Sequence, residues 1–229
     1  MKIFQAIGTG LSTILIYLGL PLLGWGLGGL QEFFAPGYRT GFAAAVVAFG
    51  AAIGWQYVVA PDGIQGSKGD PTRLVRRQTI VGFSMSMILF LALLFLPYAD
   101  RREIGTMDAN LAVQWSGMAL CTLGVVLIFW SGLALGKMYS ADVTLQKDHH
   151  LVTGGLYRFI RHPRYLGDIL LALGIAFLFR SWIGLALVPF ILALLLFRIH
   201  DEEALMHQQF GDEWEQYCQR SWRLIPLLF

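Results

Sequence analysis

Four long apolar runs constrain this chain more than any other feature. Residues 9–30, 41–60, 80–97 and 111–135 hold almost no ionisable side chain. Each is about as long as a helix needs to be to cross the hydrocarbon core of a bilayer, roughly 20 residues. Two shorter runs follow, 165–179 and 183–197, separated only by Arg180-Ser181-Trp182. Three residues are too few for a loop that crosses anything. The pair predicts a tight helical hairpin with Arg180 and Trp182 at one interface and Arg164 and Arg198 extending its other end. The chain is 56% hydrophobic and 14% charged, where a soluble domain carries about a quarter charged residues. The expectation is all-α: a polytopic integral membrane protein of about six transmembrane helices forming a single membrane domain. Residues 1–136 read as a four-helix N-terminal support and 137–229 as the functional core. Lys2 followed by the run 11–23 imitates a signal peptide. The run continues to about Leu30 with no clear small-residue cleavage site, so it reads as a retained first span.

Basic residues set the expected orientation. With the N-terminus inside, one face carries Lys2, Lys68, Arg73, Arg76, Arg77, Lys137, Lys147, Arg158, Arg161, Arg164, Arg198, Arg220 and Arg223, which is 13 of the 17. The other carries Arg39, Arg101, Arg102 and Arg180. The positive-inside bias predicts both termini and the segment 137–163 on the cytoplasmic side. A net charge of +2 gives no reason to expect nucleic acid. Cys121 and Cys218 are far apart and belong to no CxxC or Cys/His pattern, so they read as packing residues. Gly50/Gly54 and Gly132/Gly136 have the spacing that lets helices approach closely in lipid, and both read as internal packing.

The segment 137–163 is 27 residues of polar chain between apolar runs, well beyond the roughly 15 residues at which loops become functional or disordered. It ends in Gly154-Gly155-Leu156-Tyr157-Arg158-Phe159-Ile160-Arg161-His162-Pro163-Arg164-Tyr165. Pro163 predicts a helix start, which places the N–H groups after it where carboxylate or phosphate binds. Arg198 and Glu202, four apart on one helix face, are returned by the hairpin to the same membrane side. Arginines facing a carboxylate suit a zwitterionic ligand. The same residues have plainer readings: arginines at a helix end satisfy topology, and Arg198–Glu202 is a structural ion pair. His200 and His207 read as interfacial. His149 and His150 lack a carboxylate or cysteine at ligand spacing, so no metal is expected. In the tail, Met206, Phe210, Trp214 and Tyr217 recur at helical spacing opposite Asp201, Glu203, Asp212, Glu213 and Glu215. That pattern predicts an amphipathic helix that anchors at the interface or covers the site.

The pattern His149-x-Leu151-Val152-Thr153-x-Gly155-x-Tyr157-x-x-x-Arg161-His162-Pro163-x-Tyr165-x-Gly167 resembles the signature of the isoprenylcysteine carboxyl methyltransferase family. Phospholipid N-methyltransferases look similar here. Phe210-Gly211-x-Glu213-Trp214-x-x-Tyr217 and Pro226 add to the likeness, which covers roughly Gln146 to Pro226. The resemblance implies S-adenosylmethionine as methyl donor and S-adenosylhomocysteine as product. It implies donor contacts at Gln146, His149, Leu151, Val152, Tyr157, His162, Pro163, Arg164, Tyr165 and Glu202. It assigns Arg198 to the methyl acceptor, so that Arg198 and Glu202 form the catalytic pair. The implied acceptor is a lipophilic molecule arriving from the bilayer, with carboxyl O-methylation of an isoprenylcysteine-like substrate the first expectation. A phospholipid amine and a small thiol stay open as acceptors. A sterol-type NADPH-dependent membrane reductase stays open as a different enzyme class. A scaffold or transporter would carry ionisable residues in mid-span, and the first four runs show almost none.

Overall fold

The computed structural model describes residues 2–59, 76–108, 110–136 and 150–227. Helix α1 (Lys2–Ile14) continues through a π turn (Leu15–Gly19) into α2 (Leu20–Trp25). A short α3 (Leu30–Phe34) precedes the 23-residue α4 (Gly37–Val59). Then come α5 (Arg76–Arg101), α6 (Leu111–Leu135), α7 (Pro163–Leu178), α8 (Trp182–Phe210) and α9 (Asp212–Cys218). The architecture is all-α and polytopic. Ile3–Trp25, Gln78–Arg101, Leu111–Leu135 and Trp182–Phe210 are each long and apolar enough to cross a membrane. The other two of the six expected helices are α4 and α7. Helix α4 packs between α1 and α6. Helix α7 has 16 residues, about 24 Å at 1.5 Å per residue, and packs against α6 and α8. The predicted hairpin is present, with Ser181 capping α8 by accepting the Gly184 N–H at 3.0 Å.

The helices are apolar nearly all round, as lipid requires. Phe83, Phe95, Leu123, Trp130 and Phe190 face outward, while Phe33, Phe42, Leu93, Leu178 and Phe179 fill the interior. Helices α6 and α7 lie backbone to backbone. A Cβ on Gly124 would sit 2.8 Å from the Gly167 carbonyl oxygen, and one on Gly174 would sit 2.6 Å from the Cys121 nitrogen. No larger residue fits at either point without separating the helices.

Several boundaries differ from the sequence reading. The first helix stops at Trp25 rather than near Leu30, because Gly26 turns the chain at φ +101°. Helix α5 continues past Pro97 to Arg101. Helix α8 does not end at 197. It runs unbroken to Phe210, where Gly211 at φ +49° breaks it before α9. The predicted tail helix is therefore two pieces, the first a direct extension of the hairpin. Gly50 and Gly54 do pack closely, on α1 at Gly10 and Ala6. Among the described residues Gly132 and Gly136 do not: a Cβ on Gly132 would meet only Gln56 at 3.9 Å, and Gly136 is the C-cap of α6 at φ +51°. Cys121 and Cys218 are free thiols.

The end of the bundle opposite the polar segment is closed by a buried charge cluster. Arg39 Nη2 and Arg180 Nε reach the two oxygens of Asp100, each at 2.7 Å. The Arg39 guanidinium also lies 4.0 Å from the centre of the Trp25 ring. Arg101 donates to the Trp25 carbonyl at 2.7 Å and meets Glu32 at 3.3 Å. Asp100 thus ties α4, α5 and the α7–α8 hairpin together. Replacing it by alanine leaves two cations without their carboxylate, a loss of about 3–5 kcal/mol for a broken buried pair. Asp100→Ala should therefore unfold at much lower temperature than wild type in the same detergent, while the exposed Arg102→Ala should melt normally. Coincident melting curves for Asp100→Ala and wild type would contradict this role.

Candidate functional site

The signature segment is held by the tail. The Trp222 N–H donates to the Phe159 carbonyl at 2.8 Å, and the Arg161 N–H donates to the Trp222 carbonyl at 2.8 Å. The His162 N–H donates to the Arg223 carbonyl at 3.2 Å. The Tyr217 hydroxyl donates to the Tyr157 carbonyl at 2.6 Å. Burial pushes the Tyr217 phenol up to about 12 against the pull of Arg161, so this hydroxyl keeps its proton. Burial also raises the Tyr157 phenol. Pro163 then opens α7 at its first position, where it has no N–H to lose and its φ is already helical.

Glu203, from the extension of α8, is the centre of the side-chain network here. Arg161 Nε donates to its Oε1 at 3.1 Å, and His162 Nε2 lies 3.3 Å from the same oxygen. Arg223 Nη2 reaches Oε2 at 2.7 Å. Arg161 Nη1 also donates to the carbonyls of Cys218, at 3.1 Å, and Ser221. One carboxylate therefore joins the motif, α8 and the tail.

The adjacent carboxylate has a different setting. Glu202 Oε2 accepts the Tyr165 hydroxyl at 2.7 Å, and that hydroxyl accepts from Arg198 Nε at 2.9 Å. The three make a chain of charge-assisted hydrogen bonds between α7 and α8. The expected direct pairing of Arg198 with Glu202 is replaced by one that passes through Tyr165. The His162 ring stacks on Tyr165, with centroids 5.5 Å apart and planes 14° apart. Beside this chain opens a cavity of ≈ 300 Å³ between α5, α7 and α8. Arg164, Tyr165, Asp168 and Arg198 make its polar end, Tyr17 and Ser86 add hydroxyl groups to the wall, and most of the rest is apolar, including Leu89, Leu171, Ile175, Leu187 and Ile191.

The structure gathers Tyr157, His162, Pro163, Arg164, Tyr165, Arg198 and Glu202 at one end of the bundle. Leu151 and Val152 precede them, half-buried, and His200 points outward. Gln146 and His149 lie outside the described residues. Among the described residues no group of three or more His, Cys, Asp and Glu side chains is placed to hold a metal. Sequence reasoning missed two residues of this region. Glu203 was read only as one acidic residue on the polar face of the tail helix, with no partner in the motif. Asp168 was visible as a lone carboxylate inside an apolar run, which is itself a functional signal. It also missed a buried hydrogen bond from the Gln78 amide to Asp201, which ties the start of α5 to α8.

Residues 117–208 match the pattern of the isoprenylcysteine carboxyl methyltransferase (ICMT) family. Over 118 residues the chain is 37% identical to the protein-S-isoprenylcysteine O-methyltransferase of Schizosaccharomyces pombe, a match covering 50% of each chain. Both the matched pattern and this relative's name are those of methyltransferase enzymes. Over 196 residues the chain is 29% identical to a probable protein-S-isoprenylcysteine O-methyltransferase of Oryza sativa subsp. indica. That match covers 82% of this chain and 95% of the rice protein. The chain thus spans half the length of the first relative and nearly all of the second. The eukaryotic intramembrane Ras methyltransferase ICMT shares the fold, with a TM-score of 0.54 at 23% identity, over 98% of this chain and 83% of that one. The ICMT-family segment contains α7, most of α8 and the site between them.

Removing Glu203 should free the tail from the motif. Loss of a charge-assisted hydrogen bond costs about 1.5–3 kcal/mol, which raises the population of locally open tail by roughly tenfold or more. Limited trypsin digestion of Glu203→Ala should cleave after Arg220 correspondingly faster than in wild type. Equal cleavage rates would show that Glu203 does not hold the tail.

Proposed function

We propose that this protein is an S-adenosylmethionine-dependent methyltransferase that methylates the carboxylate of a lipophilic, isoprenylcysteine-like acceptor. The observation that carries the reading is the join between two unlike environments. A largely apolar cavity inside the bundle ends at Arg198, and Arg198 is tied through the Tyr165 hydroxyl at the start of α7 to Glu202. The family of residues 117–208 and the names of the relatives support the same chemistry. The polar end lies where 13 of the 17 basic residues are expected, which supports a cytoplasmic site with both termini on that side.

The donor's chemistry fits the residues present. It carries an ammonium, a carboxylate and a sulfonium. Glu202 uses one oxygen for Tyr165, and its other oxygen has no hydrogen bond among the described residues, so it is placed to meet a cation. The first N–H groups of α7 and the side chain of Arg164 favour an anion. Glu202, Tyr165, Arg164 and His162 would hold the donor, with Leu151, Val152 and Tyr157 beside them and Gln146 and His149 completing the set. S-adenosylmethionine supplies an electrophilic methyl group when bound and leaves as S-adenosylhomocysteine.

The residues of this chain orient rather than activate. A carboxylate acceptor is already ionised, so no side chain needs to remove a proton. Arg198 presents a planar guanidinium that pairs with a carboxylate through two parallel hydrogen bonds. Gly82 leaves room beside it: a Cβ there would sit 3.4 Å from Arg198 Nη1. Tyr165 fixes Arg198 Nε and thereby the direction of the fork. The apolar wall takes the lipid tail and excludes water. In this division of labour the helices before 137 support the site, and α5 also forms one side of the cavity.

Calorimetry with S-adenosylhomocysteine tests the reading. Glu202→Gln should weaken binding about tenfold or more, the loss of one charge-assisted contact. Arg198→Lys should change that affinity by less than about twofold yet lower turnover sharply, because lysine lacks the fork. If the pair were only structural, both variants would melt earlier with donor affinity unchanged. NADPH, the ligand of a reductase, should not bind. Inverted membrane vesicles should bind added S-adenosylhomocysteine and sealed right-side-out vesicles should not. Binding of NADPH in place of S-adenosylhomocysteine would overturn the proposal.

A further inference from the structure

The cavity has a second end, away from the arginines. It runs along α5, α7 and α8 as far as Leu96, Ile175 and Gly184. Leu96 lies one helical turn before Asp100, so this end abuts the closed charge cluster. The interior here is full: Leu96 and Ile175 are buried, and Ala176, Leu178 and Phe179 beyond them have no exposure. Gly184 brings the three helices together. A Cβ on it would sit 2.8 Å from Leu96 Cδ1 and 3.0 Å from the Ala176 Cβ. The missing side chain lets α8 close on α5 and α7 at once, and the slot between them ends there.

Helix rise gives the length of the slot. Arg164 and Ile175 are 11 residues apart on α7, about 17 Å at 1.5 Å per residue, and Gly82 and Leu96 are 14 apart on α5, about 21 Å. An extended chain advances about 1.1–1.2 Å per bond, because three backbone bonds span about 3.3–3.6 Å. The slot therefore takes about 15–18 bonds. From carboxyl carbon to tail tip, an S-geranyl cysteine has about 11 bonds, an S-farnesyl cysteine about 15 and an S-geranylgeranyl cysteine about 19, or roughly 13, 17 and 22 Å on the same scale. The middle one fits. The shortest leaves the deep end empty, and the longest meets the floor before its carboxylate is seated.

We propose that Leu96 and Ile175, drawn together at Gly184, form a floor that measures the acceptor's tail, so that the site selects a farnesyl-length chain over shorter and longer ones. This rests on the reading of the cavity as the acceptor's site. Both misfits carry a cost. An unfilled deep end forfeits the contacts of its lining. Surplus carbons have to fold back against side chains that are already packed. Leu96 and Ile175 are thus specificity-determining residues far from the transferred methyl group, and Gly184 is the position that holds the floor shut.

Three probes test the length: the S-geranyl, S-farnesyl and S-geranylgeranyl thioethers of N-acetylcysteine. Their dissociation constants are measured by calorimetry without donor, at equal mole fraction in the detergent micelle, on wild type, Leu96→Ala and Ala172→Leu. Wild type should bind the farnesyl probe roughly tenfold more tightly than the geranylgeranyl probe, the scale of forcing extra carbons into a packed site. The geranyl probe should also bind less tightly than the farnesyl probe. Leu96→Ala deepens the slot and should make the geranylgeranyl probe the best of the three. Ala172 lines the slot about one turn above Ile175, so Ala172→Leu should shorten it and make the geranyl probe the best. Binding of S-adenosylhomocysteine reports that each variant is folded. Wild type binding the geranylgeranyl probe as tightly as the farnesyl probe would mean that the tail leaves sideways into lipid. That result overturns the floor and leaves the carboxyl methyltransferase reading in place. So does a folded Leu96→Ala that keeps the wild-type order. If Leu96→Ala does not fold, Ala172→Leu decides, and an unchanged order there overturns the floor. Failure of all three probes on wild type that binds S-adenosylhomocysteine would remove the cavity as the acceptor's site, and the floor with it.

Discussion

The contact on which the site depends is the one between the backbones of α6 and α7. At Gly124 and Gly167 the two helices meet with no side chain between them. Close approach of this kind replaces the hydrophobic drive that lipid does not supply. It fixes the rotation of α7, and with it the direction of Arg164, Tyr165 and Asp168 at the helix start. Gly167 belongs to the signature, two residues after Tyr165. Its role follows from packing: a methyl group there would meet the Gly124 carbonyl at 2.8 Å and push α7 away. Tyr165 would then move off both Arg198 and Glu202, which it now joins. The same signature therefore carries the contact residue and the glycine that aims it.

The two ends of the bundle use buried charge differently. At one end Asp100 takes Arg39 and Arg180 directly, and aromatic rings cover the remaining cation. That cluster is closed and structural. At the other end Glu203 closes a similar cluster with Arg161, His162 and Arg223, but next to it the charges are spread along a cavity. Arg164, Asp168 and Arg198 line it there. Arginines appear at both ends of a membrane bundle for topological reasons. It is the cavity beside them that distinguishes a binding site from an anchor.

The helices were legible because a membrane span has to be apolar over a fixed length. The hairpin was legible because Arg180-Ser181-Trp182 leaves no alternative. The motif end at Pro163 was legible because proline tolerates so few helix positions. The extension of α8 to Phe210 was not, since Arg198 and the acidic residues after it look like the end of a span. A helix can continue into water without a change of backbone, and only Gly211 marks the true stop. The α6–α7 contact was missed because its glycines are seven apart on each helix rather than four. Gly132 and Gly136, which have the expected spacing, make no such contact among the described residues. Glu203 and Asp168 were missed because their partners are distant in sequence, and helix spacing says nothing about which face a neighbouring helix covers.

The central claim is transfer of a methyl group to a carboxylate. The purified protein is incubated with methyl-labelled S-adenosylmethionine and N-acetyl-S-farnesylcysteine, and the lipid fraction is then treated with alkali. A carboxyl methyl ester releases its label as volatile methanol, whereas a methyl group on nitrogen or sulfur stays with the lipid. A carboxyl methyltransferase should leave label in the lipid fraction that alkali converts to methanol. Label that stays with the lipid after alkali, or an unlabelled lipid from protein that binds the donor, would contradict it.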